Sequence, residues 1–371
     1  MKHWRNFDWQ LIIIPVLLVS FGTAMLYAIS HWAPGVPAST PYKEATYLVM
    51  GLLVFWALTN LDYRLIAKIA PALYVISLMG LVAVALLGHS ALGAQRWINL
   101  GFIQLQPSEP AKLAVVLMLA WFLGRREQRM SEITTLLGSL AIVAIPAVLV
   151  LRQPDFGTAM ILGTIWFATM VMASTPPVYL GSVAVTAVAA APFAWHMMQP
   201  FQRVRLISFL QPNKDPLGSG WNIIHARIAV GSGGPFGEWF SRNTQSRLNF
   251  LTVQDKDFIF SVIAEQIGFL GLLVLFLFYG LLLMRMARVA FMAADVFGRL
   301  AATGILAMFL FQTFINVGMN IGIMPVTGIP LPLLSYGGSS LITCLAALGI
   351  LESILLRHKK LMFSTSQALV G

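Results

Sequence analysis

The sequence predicts an all-α polytopic membrane protein of about ten transmembrane helices, and three observations carry that reading. Hydrophobic residues make up 58% of the 371-residue chain, charged residues only 10%, and mean hydropathy is +0.79. A soluble domain has roughly a quarter of its residues charged. The apolar residues form continuous runs, each long enough for the ~20 helical residues that cross ~30 Å of hydrocarbon. The runs do not alternate, which excludes a transmembrane barrel and leaves helices as the way to satisfy backbone groups in lipid.

The spans are expected near 9–30, 44–61, 67–88, 109–124, 136–151, 157–174, 178–199, 258–284, 299–321 and 339–356. The first run is too long for a cleavable signal and lacks a small-residue cleavage site, so it reads as the first span. Residues 1–371 read as one integral membrane domain, with 200–257 as a long polar loop between the seventh and eighth spans. No internal repeat of the kind that builds many transporters is evident.

Lysine and arginine set the orientation. With both termini cytoplasmic, the inner set is Lys2, Arg5, Arg64, Lys68, Arg125, Arg126, Arg129, Arg285, Arg288, Arg299, Arg357, Lys359 and Lys360. The short outer loops hold Lys43, Arg96 and Arg152, a ratio of thirteen to three. Short loops decide topology, so the long loop is expected outside the cytoplasmic (inner) membrane. The net charge of +10 is largely these orientation signals and gives no support to nucleic-acid binding. Cys344 is the sole cysteine and the six histidines are dispersed, which excludes an internal disulfide and any zinc pattern.

Ahead of the tenth span, Met324 to Ser340 is apolar enough to enter the bilayer but contains Pro325, Pro330 and Pro332. Three prolines preclude a regular helix, and irregular backbone at membrane depth needs protein or a cavity against it. A re-entrant segment lining a cavity is the expectation. Ile228 to Gly237, with Gly231-Ser232-Gly233-Gly234, reads as a turn at the foot of the long loop rather than a phosphate cradle.

Four charged constellations share the outer side. Ser108 is a candidate N-cap, and Glu109 and Lys112 lie three apart on one helix face, as a structural ion pair or as part of a site. Arg152-Gln153-Pro154-Asp155 is a tight turn or a site contributor. In Gln202-Arg203-Val204-Arg205 alternation would place two guanidinium groups together, suited to phosphate oxygens or to an ordinary membrane interface. Asp257 closes the long loop next to Asp255 and Lys256, either as a helix N-cap or, since ionisable groups at the mouth of a bundle tend to be functional, as a site residue.

These residues sit within a series of short motifs: Ala94-Gln95-Arg96-Trp97, Gln106-Pro107-Ser108-Glu109 with Lys112, Gln153-Pro154-Asp155 with Gly157-Thr158, Gln202-Arg203, Asp215-Pro216-Leu217-Gly218, Ala229 to Gly234, Asp257-Phe258-Ile259-Phe260 with Glu265, and Pro330-Leu331-Pro332 through Ser335-Tyr336-Gly337-Gly338-Ser339. In this order, over nearly the whole chain, they resemble the SEDS family (shape, elongation, division and sporulation) of cell-wall polymerases. Asn213 to Gly218 and Asn243-Thr244-Gln245-Ser246 look closer to its RodA branch than to its FtsW branch. The family's usual Pro-Glu and His-Thr ahead of the aspartate are absent, and His225 stands where glutamine is usual.

The resemblance implies a peptidoglycan glycosyltransferase that polymerises lipid II into a nascent glycan strand on the outer membrane face during elongation and rod-shape maintenance. It implies a class B penicillin-binding protein and other elongation-complex membrane proteins as partners. It makes Asp257 the catalytic candidate, with Glu109, Lys112, Asp155, Arg203, Arg205, Glu265 and Ser335 lining or supporting the cavity. Asp257 would act as general base toward a sugar hydroxyl or hold a divalent cation, Mg or Mn, against the diphosphate. Alternatives are a lipid II flippase, a division polymerase of the FtsW type and a non-catalytic scaffold for a penicillin-binding protein.

Overall fold

The computed structural model describes residues 7–33, 35–87, 89–91, 94–99, 104–239, 245–246, 248, 250–251 and 253–357. Several residues used above lie outside the described set: Lys2, Arg5, Lys359 and Lys360 at the ends, and Asn243 and Thr244 in the long loop. Every expected span finds a helix: α1 (Gln10–Trp32), α2 (Thr40–Asn60), α3 (Tyr63–Leu87), α4 (Ser108–Gly124), α5 (Ile133–Arg152), α6 (Phe156–Met172), α7 (Pro177–Met197), α10 (Ile259–Met292), α11 (Val296–Ile321) and α12 (Gly338–Arg357). Among the described residues, α1, α3, α5, α10, α11 and α12 are long and apolar enough to cross a membrane unaided. The others are shorter, or carry charge as α2 does with Lys43 and Glu44.

Burial separates centre from periphery. In the most apolar stretch of α12, 94% of residues are inside the protein, against 22% for α3, so α12 is a core element and α3 presents most of its surface to lipid. The core is a continuous apolar cluster running from Leu11 and Phe55 through Val116 and Ile165 to Leu345 and Leu351.

Four features depart from the sequence reading. A small antiparallel sheet, β1 (His89–Ala91), β2 (Ala94–Asn99) and β3 (Gln104–Leu105), occupies the loop between α3 and α4. The long loop contains two helices, α8 (Pro200–Leu210) and α9 (Trp221–Ser232). The expected turn over Ile228 to Gly237 is therefore confined to the residues after Ser232. Helix α4 begins at Ser108 with Pro107 as N-cap, and Ser108 Oγ instead accepts from Gln106 Nε2 at 3.1 Å.

The segment between α11 and α12 is irregular and buried, as three prolines require. Its carbonyls find donors on the spans around it. Asn316 Nδ2 donates to Ile329 O at 2.8 Å, and the Tyr279 hydroxyl donates to Pro332 O. A Cβ on Gly22 of α1 would lie 2.8 Å from Leu334 O, so only glycine allows this close approach.

Helix α10 is broken near its start. Gly268 has φ 66° and ψ −171°, a region essentially closed to other residues. The break lets the chain after α9 hydrogen-bond into the gap: Glu238 N pairs with Glu265 O at 2.9 Å, Trp239 N with Gln266 O at 3.2 Å, and Phe269 N with Gly234 O at 2.8 Å. Residues 259–266 are wholly buried, whereas Phe269, Leu273 and Leu277 beyond the break are exposed to lipid.

Candidate active site

Asp257 stands on a short loop directly before α10, and the residue capping that helix is Phe258, with no side-chain cap. The aspartate is therefore not an N-cap. The loop is held by its backbone. Tyr336 N donates to Asp255 O at 2.9 Å, Ser335 Oγ to Lys256 O at 2.6 Å, and Asn320 and Asn316 Nδ2 to Asp257 O at 3.1 and 3.3 Å. Ser335 also accepts from Leu331 N at 2.8 Å, tying the re-entrant segment to the aspartate loop.

Asn316 and Asn320 are wholly buried on α11, four residues apart and so on one helix face. Asn320 Oδ1 accepts from Ser261 N and Oγ at 3.2 and 2.6 Å, which locks the first turn of α10 to the same amide. Neither asparagine was singled out from the sequence. The available signal was a pair of amides at helical spacing inside an otherwise apolar span.

The carboxylate of Asp257 accepts no hydrogen bond among the described residues. It faces the bare backbone of Gly328, where a Cβ would sit 3.6 Å from Oδ2. Burial pushes its pKa up to about 6, with Arg205 and Lys256 pulling down, Asp255 pushing up and Arg96 pulling down. Burial likewise raises Asp255, against the pull of Lys256. Arg205 is lowered, by burial first and then by Arg96, while Asp257 and Asp155 favour its charge. Asp257, Asp155, Arg205 and Arg96 thus form one electrostatic group at the end of the bundle.

Asp155 caps α6, accepting from Thr158 N at 3.2 Å and Thr158 Oγ1 at 2.8 Å. Arg96 of β2 lies 3.9 Å from its carboxylate and donates to Gln153 O at 3.1 Å and to Pro154 O. The tight turn foreseen for Asp155 is present, with its carboxylate as the cap of α6.

The expectation that Arg203 and Arg205 share a direction is wrong. It assumed an extended chain, but Pro200 at the first helical turn and Gln202 Oε1 accepting from Gln199 N at 3.0 Å start α8 there. Two residues on a helix are ~200° apart. Arg203 turns back to donate to His196 O at 2.7 Å, leaving Arg205 on the side of Asp257.

Glu109 and Lys112 form a closed pair at 2.8 Å, with side chains 4% and 1% exposed. Glu265, wholly buried, accepts from Gln245 N at 2.6 Å and Ser246 N at 3.0 Å. It organises the end of the long loop. No group of three or more His, Cys, Asp or Glu converges among the described residues, so any divalent cation would need Asp257 together with oxygens of a substrate, the usual arrangement for magnesium with phosphates.

A cavity of about 30 Å³ lies between α6, α8 and the re-entrant segment, lined among others by Pro154, Gln202, Arg205, Pro325 and Thr327. It holds about one water.

The FtsW/RodA/SpoVE family model, described as cell cycle protein, matches residues 8–360. The peptidoglycan glycosyltransferase MrdB of Escherichia coli K12 is 38% identical over 349 residues, covering 94% of each chain. A chain of a solved peptidoglycan synthase complex, described as coordinating polymerization and crosslinking, superposes with a TM-score of 0.80 at 32% identity, covering 95% of this chain and 98% of that one. The Thermus thermophilus rod shape determining protein RodA gives 0.69 at 30% identity, with 96% and 98% covered.

Proposed function

Since the chain belongs to the FtsW/RodA/SpoVE family of cell cycle proteins, we propose that it is a peptidoglycan glycosyltransferase, the elongation polymerase that joins lipid II into glycan strands. Relatives that cover 94% of the chain and are named for that activity support it, and they do not favour the flippase or scaffold readings. Asp257 carries the reaction. The observation behind this is its carboxylate, held at the mouth of the bundle by backbone bonds alone and facing Arg205, Lys256 and Arg96.

Asp257 accepts the proton of the acceptor sugar hydroxyl as that oxygen attacks the anomeric carbon of the lipid-linked sugar. The bond from that carbon to the diphosphate breaks, and its electron pair leaves with the diphosphate. A base whose pKa is near 6 matches the proton-transfer demand at neutral pH. Arg205, whose charge Asp257 and Asp155 favour, is the cation that suits the departing phosphate. Lys112 is neutralised by Glu109 and supports the fold instead. A divalent cation bound by Asp257 and the substrate phosphates would supply further neutralisation of the leaving group.

The long loop is placed on the outer face of the cytoplasmic membrane, with both termini cytoplasmic and a class B penicillin-binding protein as crosslinking partner. The excess of lysine and arginine at the opposite end supports the orientation, and the related synthase complex supports the partner. The test is a gel assay of glycan chains made from lipid II by purified protein, with and without the partner and divalent metal. Parental polymerisation by Asp257→Ala at equal abundance would refute the assignment of Asp257. Transbilayer movement of lipid II without glycan product would refute the reaction.

A further inference from the structure

A second cavity lies at the other end of the bundle. About 370 Å³ in volume, it opens where α3, α4 and the start of α11 meet. Ala67 and Gly124 leave the space, Trp121 and Phe297 wall it, and Lys68 and Arg125 stand exposed at its rim.

The charge of this cavity is unbalanced. Its one lining carboxylate, Asp295, is already engaged: Oδ1 accepts from Gly298 N at 2.7 Å, and Oδ2 accepts from the Tyr63 hydroxyl at 2.9 Å with Arg64 at 4.0 Å. The neighbouring Arg299 is 3.8 Å from Glu127. Lys68 and Arg125 have no carboxylate partner among the described residues, and Arg125 lies over the Trp121 ring at 4.3 Å. Asp295 is the N-cap of α11 and takes up the positive end of that helix, so Lys68 and Arg125 are the charges an anion meets here.

We infer that this junction binds the phosphate headgroup of an anionic phospholipid. Two cations with no carboxylate partner among the described residues select a phosphate. The aromatic walls and small-residue gap select one carried on an amphiphile, and the lipid-facing surface of α3 lets it enter sideways from the bilayer. Basic pockets between spans at a membrane face recurrently take such headgroups. The site is separate from Asp257 and independent of the chemistry there.

Native mass spectrometry of the purified protein tests it, using phosphatidylglycerol, phosphatidylcholine of the same chains, and inorganic phosphate. The wild type should retain one phosphatidylglycerol that Lys68→Gln/Arg125→Gln binds about 30-fold more weakly, with phosphatidylcholine retained equally by both. Ala67→Leu, which fills the cavity and leaves the charges, should lose the same lipid while unfolding at the wild-type temperature in neutral detergent. Equal phosphatidylglycerol retention by all three proteins overturns the proposal. Full displacement by millimolar inorganic phosphate overturns the lipid as its occupant.

Discussion

Asn320 holds Asp257 through the main chain: its side-chain amide donates to Asp257 O at 3.1 Å while its amide oxygen accepts from Ser261 Oγ at 2.6 Å. One buried amide thus joins α11, the first turn of α10 and the aspartate loop, and leaves the carboxylate outside the bonding network.

Replacing that carboxylate should separate activity from stability. Folding raises the pKa of Asp257 from 3.8 to about 6, so the ionised form is the one that folding penalises. The penalty is absent below pH 4, grows as pH rises toward 6, and reaches roughly 3 kcal/mol above that. Asp257→Asn should abolish polymerisation and, at pH 7, unfold at a higher temperature than the wild type. The two melting curves should converge near pH 4; a constant offset from pH 4 to pH 8 would contradict this.

The rate should show an acid limb near pH 6, because the base must be ionised. Arg205 favours the ionised form, so Arg205→Gln should move that limb to higher pH. Arg203→Gln should leave it in place, since Arg203 is engaged with His196 O. Lipid II polymerisation measured from pH 5 to pH 8 decides it, and an unmoved limb in Arg205→Gln removes Arg205 from the site.

Breaking the Glu109–Lys112 pair strands a buried charge, which costs about 3–5 kcal/mol. Glu109→Gln and Lys112→Met should each lower the unfolding temperature and the yield of active protein. If the pair is structural, Glu109→Leu/Lys112→Met should recover both. Recovery of stability without activity would instead place one of the two in the reaction.

Asn320→Ala leaves Asp257 O with only the longer Asn316 bond and removes the acceptor for Ser261. The expected loss is about 1–3 kcal/mol of stability, with a fall in kcat at nearly unchanged KM, read from unfolding and steady-state polymerisation.

A side chain cannot replace the hydrogen at Gly268. A Cβ there would lie 2.2 Å from Gly237 N, and φ is +66°. Gly268→Ala should give little monodisperse protein after extraction, whereas Gly280→Ala, with open space around it, should behave as wild type.

The ten spans were legible because lipid imposes one pattern, a continuous apolar run, that needs no tertiary information. Helices α8 and α9 were not, since each is 12 residues or fewer and mixes charge with apolar groups in a polar loop. That gap produced the error over Arg203 and Arg205: alternation and helix give opposite answers for two residues apart. The re-entrant segment was readable from its prolines. Its donors were not, because Asn316 and Tyr279 are distant in sequence from Ile329 and Pro332. Asp257 was visible as an acid at a boundary, but only the fold shows it is held by its carbonyl.

Three consecutive carbonyls, those of Asp255, Lys256 and Asp257, each accept from a different donor on the re-entrant segment or α11. A cradle of this kind is blind to side-chain identity at the three positions it grips. The cradle is made of main-chain bonds, so a substitution on this stretch changes the charge presented and its burial cost, while the path of the chain is set from outside it.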